Sequence, residues 1–172
     1  MPNWIEGTMK LRGKMSDIKR FFDEGIKLSG WLKEQNKQRG DYIKENCWEN
    51  ELNYEIVGDT PYVIGTHRMF IAEGDYYLYK NDNDNNVMVL GVQQAWSFTG
   101  DGTGAKEKAL VDIADRYNLD IRLYGIEQGL EFCQEVVVHH KRADEEKGKI
   151  VVDSFIKYED WDWECPFPRM GG

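Results

Sequence analysis

The spacing of apolar residues changes period several times along the chain, and each change marks an element. Trp4, Thr8, Met9 and Leu11, ahead of a Gly13-Lys14 turn, predict a first strand over 4–12. Ser16 then stands where a helix N-cap belongs. Ile18, Phe21, Phe22 and Ile26 recur at helical spacing behind it, with Gly25 and Gly30 weakening and ending the run. Residues 31–55 carry no clean period: Glu34 to Gly40 reads as an exposed connection and Asp41 to Trp48 as a short helix. From Tyr54 to Tyr79, β-branched and aromatic residues broken by Gly58-Asp59, Pro61, Gly65 and Gly74-Asp75 predict short strands or irregular extended pieces.

Asn81 to Asn86 reads as a turn and Val87 to Phe98 as a strand. Gly100-Asp101-Gly102-Thr103-Gly104 then leads into a helix whose Leu110, Ile113, Ala114 and Tyr117 share one face, closed by Asn118. Leu119 to Tyr124, Leu130 to His140 and Ile150 to Tyr158 are three extended runs separated by turns at Gly129 and Arg142 to Gly148, which together predict a β-meander. The order predicts one α+β domain over 1–172, with helices on one face of a mainly antiparallel sheet.

Composition narrows the function classes. At 41% hydrophobic and 13% aromatic residues, the 172-residue chain has ample core material for one domain. Its 31 acidic against 22 basic residues give a formal charge of -9, the wrong sign for general phosphate binding and the right one for a basic partner. Residues 1–46 hold ten Lys/Arg and seven Asp/Glu, so the acidity lies in 47–172, with twelve against twenty-four. Cys47, Cys133 and Cys165 are odd in number and far apart, which points to a reducing, cytoplasmic setting, and no apolar run reaches the length of a membrane span.

Candidate chemistry is sparse. The glycines at 100, 102 and 104 have neither Walker nor dinucleotide spacing. Asp82, Asp84 and Asn86 open like a calcium loop, but Val87 and Gln93 stand where the glycine and closing glutamate belong. No pair among His67, His139, His140 and the cysteines has zinc spacing, and adjacent His139 and His140 on a strand point to opposite faces. Carboxylate pairs such as Glu127 and Glu131, or Asp160 and Asp162, are too cheap to nominate in so acidic a chain. Neither a metal nor a cofactor is expected, and a binding role stands ahead of an enzymatic one. The run from Tyr158 to Pro168 interleaves aromatics with acids: as an edge strand it caps the core and discourages pairing, and as a recognition surface it gives contact area and steers a basic partner. With the acidic turn before it, the partner-binding candidates are Asp144, Glu145, Glu146, Glu159, Asp160, Trp161, Asp162 and Glu164. A small-ligand pocket would draw on Trp96, His67, Arg68 and Glu127, and a nucleic-acid surface on Lys10, Arg12, Lys14, Lys19 and Arg20 if they share a face.

The segments Pro2 to Lys14, Asp17 to Phe21, Gly65 to Ile71, Gln94 to Phe98, Tyr124 to Phe132 and Trp163 to Pro166 span nearly the whole chain. Together they resemble a family of small proteins of phages, plasmids and integrative elements of Gram-positive bacteria, related to the YubB-like ferredoxin-fold group. The resemblance implies a ferredoxin-like α+β core, with Trp31 to Tyr54 as an insertion after helix one, and a mobile-element setting. It carries over no activity residue by residue. The combined expectation is an accessory protein that binds a basic host or defence protein, such as a CRISPR effector nuclease, by placing carboxylates where phosphates would lie. Direct nucleic-acid binding and a membrane role are not expected.

Overall fold

Strand β1 (Trp4–Gly13) alternates buried Ile5, Met9 and Leu11 with open Glu6, Thr8, Lys10 and Arg12, so it needs a helix layer on one side only. The computed structural model describes residues 3–28, 38–48, 51–58, 61–66, 68–99, 105–129 and 132–157. Helix α1 (Met15–Glu24) follows directly and buries Ile18, Phe21 and Phe22. Its N-cap is Lys14, whose carbonyl accepts the N–H groups of Asp17 and Ile18, while Ser16 lies inside the first turn and Gly25 closes the helix. The expected Ser16 cap is therefore corrected: the extended backbone breaks two residues earlier, and the helix ends before Ile26, which starts β2 (Ile26–Leu28).

The region expected to hold a short helix over 41–48 forms instead a single 3₁₀ turn at Arg39–Asp41 and the strand β3 (Ile43–Trp48), paired with β4 (Glu51–Ile56). Pairing with a neighbour outweighs local helical preference here. Short strands β5 (Pro61–Val63), β6 (Met69–Ile71) and β7 (Gly74–Tyr79) lead to β8 (Asn86–Ala95). The turn between β7 and β8 holds Asn83 and Asp84 at φ 67° and 57°, the left-handed region that Asn and Asp tolerate. Helix α2 (Ala105–Tyr117) ends at Asn118 (φ 51°), and β9 (Asp120–Glu127), β10 (Phe132–His139) and β11 (Lys149–Lys157) form the expected meander.

All strands among the described residues pair antiparallel in one eleven-stranded sheet ordered β11-β10-β9-β1-β8-β6-β5-β2, with a branch through β7, β4 and β3 from the first residues of β8. The α+β class holds; the sheet far exceeds a four-stranded unit. The two described helices lie on one face, where Phe21 meets Tyr117 edge-on and Phe22 stacks on Tyr54 of the branch with ring centroids 3.8 Å apart. One apolar cluster thus joins α1, α2, the main sheet and the branch. Gly7 and Gly125 face each other in register on this side beneath Phe98, and a Cβ on Gly7 would stand 2.0 Å from the Tyr124 carbonyl oxygen.

A helix-free sheet face as candidate functional site

The register fixes what the other face presents. Tyr79, Val87, Arg12 and Asp120 form one row across β7, β8, β1 and β9. Val89, Lys10, Arg122, Val137 and Val152 form the next, from β8 to β11. Thr8, Tyr124, Glu135 and Ser154 form a third, and Phe70, Gln93, Glu6, Ile126, Cys133 and Ile156 a fourth. Neither of the two described helices covers these rows, and three tyrosines protrude from the strands: Tyr77 is 54% exposed, Tyr79 62% and Tyr124 37%.

Asp120 is the electrostatic centre of the first row. It is buried, and its Oδ2 accepts from Arg12 Nη2 (2.6 Å), Arg12 Nε (3.2 Å) and Arg142 Nη2 (3.1 Å). Its Oδ1 lies 2.9 Å from His140 Nδ1, and His140 Nε2 lies 3.1 Å from Arg142 Nη1. The tautomer with its proton on Nδ1 satisfies both contacts. Burial pushes the Asp120 carboxyl up, but hydrogen bonds from Arg12 and Arg142, the Arg142 charge and the His140 contact outweigh it, and the net direction is below the ordinary value. The expectation that His139 and His140 point apart is corrected: both rings lie against Arg142, because β10 ends at His139 and alternation lapses there.

In the second and third rows, Lys10 and Arg122 stand directly opposite each other, and with Thr8 and Tyr124 they line a cleft of about 300 Å³. Arg122 is bound to Glu135 (2.6 Å). The Lys10 ammonium has no hydrogen bond or ion pair with a described residue. On the branch, Asp75, Tyr77 and Tyr79 share the outward side of β7 beside Glu55 of β4, which is held by Lys44 at 2.9 Å. Leu52, Tyr77, Leu78, Tyr79 and Lys80 line a second cleft of about 340 Å³.

A polar network, buried at Gln134, Gln94 and Thr99 and open at Asp153, lies on the helix side. Gln134 Nε2 donates to Thr99 Oγ1 (2.6 Å) and Asp153 Oδ1 (2.8 Å), its Oε1 accepts the Phe98 N–H (2.8 Å), and the Thr99 hydroxyl donates to Asp153 Oδ2 (2.7 Å). Gln94 Nε2 donates to the Ser97 and Phe98 carbonyls at 2.7 and 3.2 Å. These bonds anchor the 96–99 turn ahead of α2, a holding role that sequence could not reveal because Gln134 and Asp153 lie over thirty residues away along the chain. Trp96, at the start of that turn, is 47% exposed and sits at φ 71°, a strained conformation for a bulky residue.

Of the sequence-derived partner residues, Asp144 and Glu146 are exposed in the loop between β10 and β11. Glu145, between them, bonds Lys149 Nζ (2.6 Å) and the Arg142 N–H (3.1 Å), and the Lys149 hydrogen bond draws its carboxyl below the ordinary value. Lys141 and Arg142 on one side and Lys147 and Lys149 on the other flank these acids. Glu159, Asp160, Trp161, Asp162 and Glu164 lie outside the described residues, as do His67 and Gly100 to Gly104. Arg68 and Trp96 lie at the same end of the sheet as Glu127, but Glu127 is buried and its Oε1 accepts the Gly129 N–H (2.9 Å). The basic N-terminal residues divide: Lys10 and Arg12 are on the helix-free face, while Lys19 binds Glu45 and Arg20 binds Asp17 and the Arg116 carbonyl. Among the described residues there is no group of three metal-ligating side chains, and no helix is long and apolar enough to cross a membrane. No protein-family model, curated protein or solved structure matches the chain.

Proposed function

We propose that this protein acts by binding a macromolecular partner, a basic protein, on the helix-free face of its sheet, with the β7 branch as the main contact. The observation that carries this is the exposure of Tyr77 and Tyr79 beside Asp75 and Glu55. Exposed tyrosines on rigid strands give contact area at little entropic cost, and neighbouring carboxylates steer a cationic partner. The formal charge of -9 acts in the same direction.

Inhibition of a nucleic-acid enzyme of a defence system, such as a CRISPR effector, is the form of this reading favoured by the acid excess over 47–172. A mobile-element protein built on a ferredoxin-like core would fit it. Such a core would take β1, α1, β8, α2 and β9 as its main parts, with residues 26–85 elaborating the far side of β8. Affinity capture of the tagged protein from host lysate, at low and high salt, tests the proposal. A basic nucleic-acid enzyme should be recovered at low salt, released at high salt, and lost with the pair Tyr77→Ala and Tyr79→Ala. The exposed helix residue Asp112 provides the control. Recovery unchanged by the tyrosine pair, or lost equally in Asp112→Ala, would refute the assignment of the face.

A further inference from the structure

We infer that the cleft between Lys10 and Arg122 is an oxyanion site that takes a phosphate-bearing small ligand. This is independent of the protein partner proposed above, since the ligand is small and the cleft lies on β1 and β9 rather than on the branch. Like charges directly opposite one another across an antiparallel pair repel, and Lys10 and Arg122 occupy such a position. Their row supplies no carboxylate: the next residues on either side are Val89 and Val137.

The nearest acids are already engaged. Asp120 is shared by Arg12 and Arg142, and Glu135 holds one side of Arg122. Among the described residues, the first three rows together with the Arg142 bound to them therefore hold four cations against two carboxylates, on a protein whose formal charge is -9. An anion between Lys10 and Arg122 would turn the repulsion into two charge-assisted contacts. Thr8 adds a hydroxyl to the same recess, and the volume of about 300 Å³ lies at the lower end of the range for small-ligand clefts. The half-exposed ring of Tyr124 borders the cleft and offers a stacking surface to a base attached to the phosphate.

The test is thermal unfolding of the full chain with inorganic phosphate or a 5′-nucleoside monophosphate, against sodium chloride at equal ionic strength. A ligand that binds only the folded state raises the melting temperature, so a phosphate-bearing probe should raise it and chloride should not. Lys10→Met should abolish the gain, and its own melting temperature without ligand should equal or exceed that of the wild type because the repulsion is gone. Arg122→Met and Thr8→Val keep the test open should Lys10→Met fold poorly; the first should weaken binding about tenfold or more. A nucleotide preferred over inorganic phosphate, with the preference lost in Tyr124→Ala, would identify a nucleotide; equal binding of both would identify free phosphate. No phosphate-specific gain with either probe, or a gain that persists in both Lys10→Met and Arg122→Met, would overturn the site.

Discussion

Replacing Asp120 by alanine removes the one carboxylate that holds Arg12, Arg142 and His140 together at the end of β1 and β9. The side chain accepts from Arg12 at 2.6 Å and from Arg142 at 3.1 Å and contacts His140 at 2.9 Å, while only 8% of the residue is exposed. Hydrogen bonds to a charged group contribute about 1.5–3 kcal/mol each, and breaking a fully buried ion pair costs about 3–5 kcal/mol. The Arg12 and Arg142 side chains are 46% and 44% exposed, so water recovers part of the lost solvation once the partner is gone. Asp120→Ala is therefore expected to cost about 2–3 kcal/mol. It should appear as a lower urea midpoint with an unchanged m-value. Made in an Arg12→Met, Arg142→Met background, the same change should cost less than about 1 kcal/mol, because the partners are absent. A wild-type loss below about 1 kcal/mol, or an equal loss in both backgrounds, would show that the cluster does not hold the sheet end as described.

Two further outcomes follow from the same geometry. The Asp120 carboxyl is held below its ordinary 3.8, so its stabilisation is complete above the unfolded-state value and is lost as pH falls through the folded one. Wild type should accordingly lose more stability than Asp120→Asn on acidification from about pH 5, measured by urea unfolding at each pH; parallel curves would contradict the sign. Gly7→Ala should lower stability by about 3 kcal/mol or prevent folding, since its Cβ meets the backbone of β9, which a rotamer change cannot relieve; a midpoint within error of wild type would exclude the close β1-β9 approach.

The helices and the C-terminal meander were legible because their apolar residues repeat with clear periods: Ile18, Phe21 and Phe22 on α1, and Phe132, Val136 and Val138 on the inner side of β10. Residues 41–48 were not, because Ile43 to Trp48 becomes a strand only through pairing with a β4 that comes later in the chain. The sites were less legible than the elements. Arg12 meets Asp120 across 108 residues, and Lys10 meets Arg122 only because both strands flank the same ladder. A charge count over 1–46 sees a basic segment, but folding sends Lys10 and Arg12 to one face and Lys19 and Arg20 to the helix side. Tyr77 and Tyr79 differ from buried Tyr54 only in which side of a strand they occupy, and that is fixed by register.

The central place of β1 has a consequence for the making of the protein. Ile5 pairs with Gln94 on one side and with Glu127 on the other, so β1 leaves a ribosome with no neighbour until Gln94 has been added and is not enclosed until Glu127 has. Its apolar side, with Ile5, Met9 and Leu11, must wait in company with α1, whose Phe21 awaits Tyr117. Such long-range closure makes folding slow and keeps sticky surface open during synthesis. Truncation before residue 127 would therefore leave a chain that aggregates, rather than a smaller folded protein.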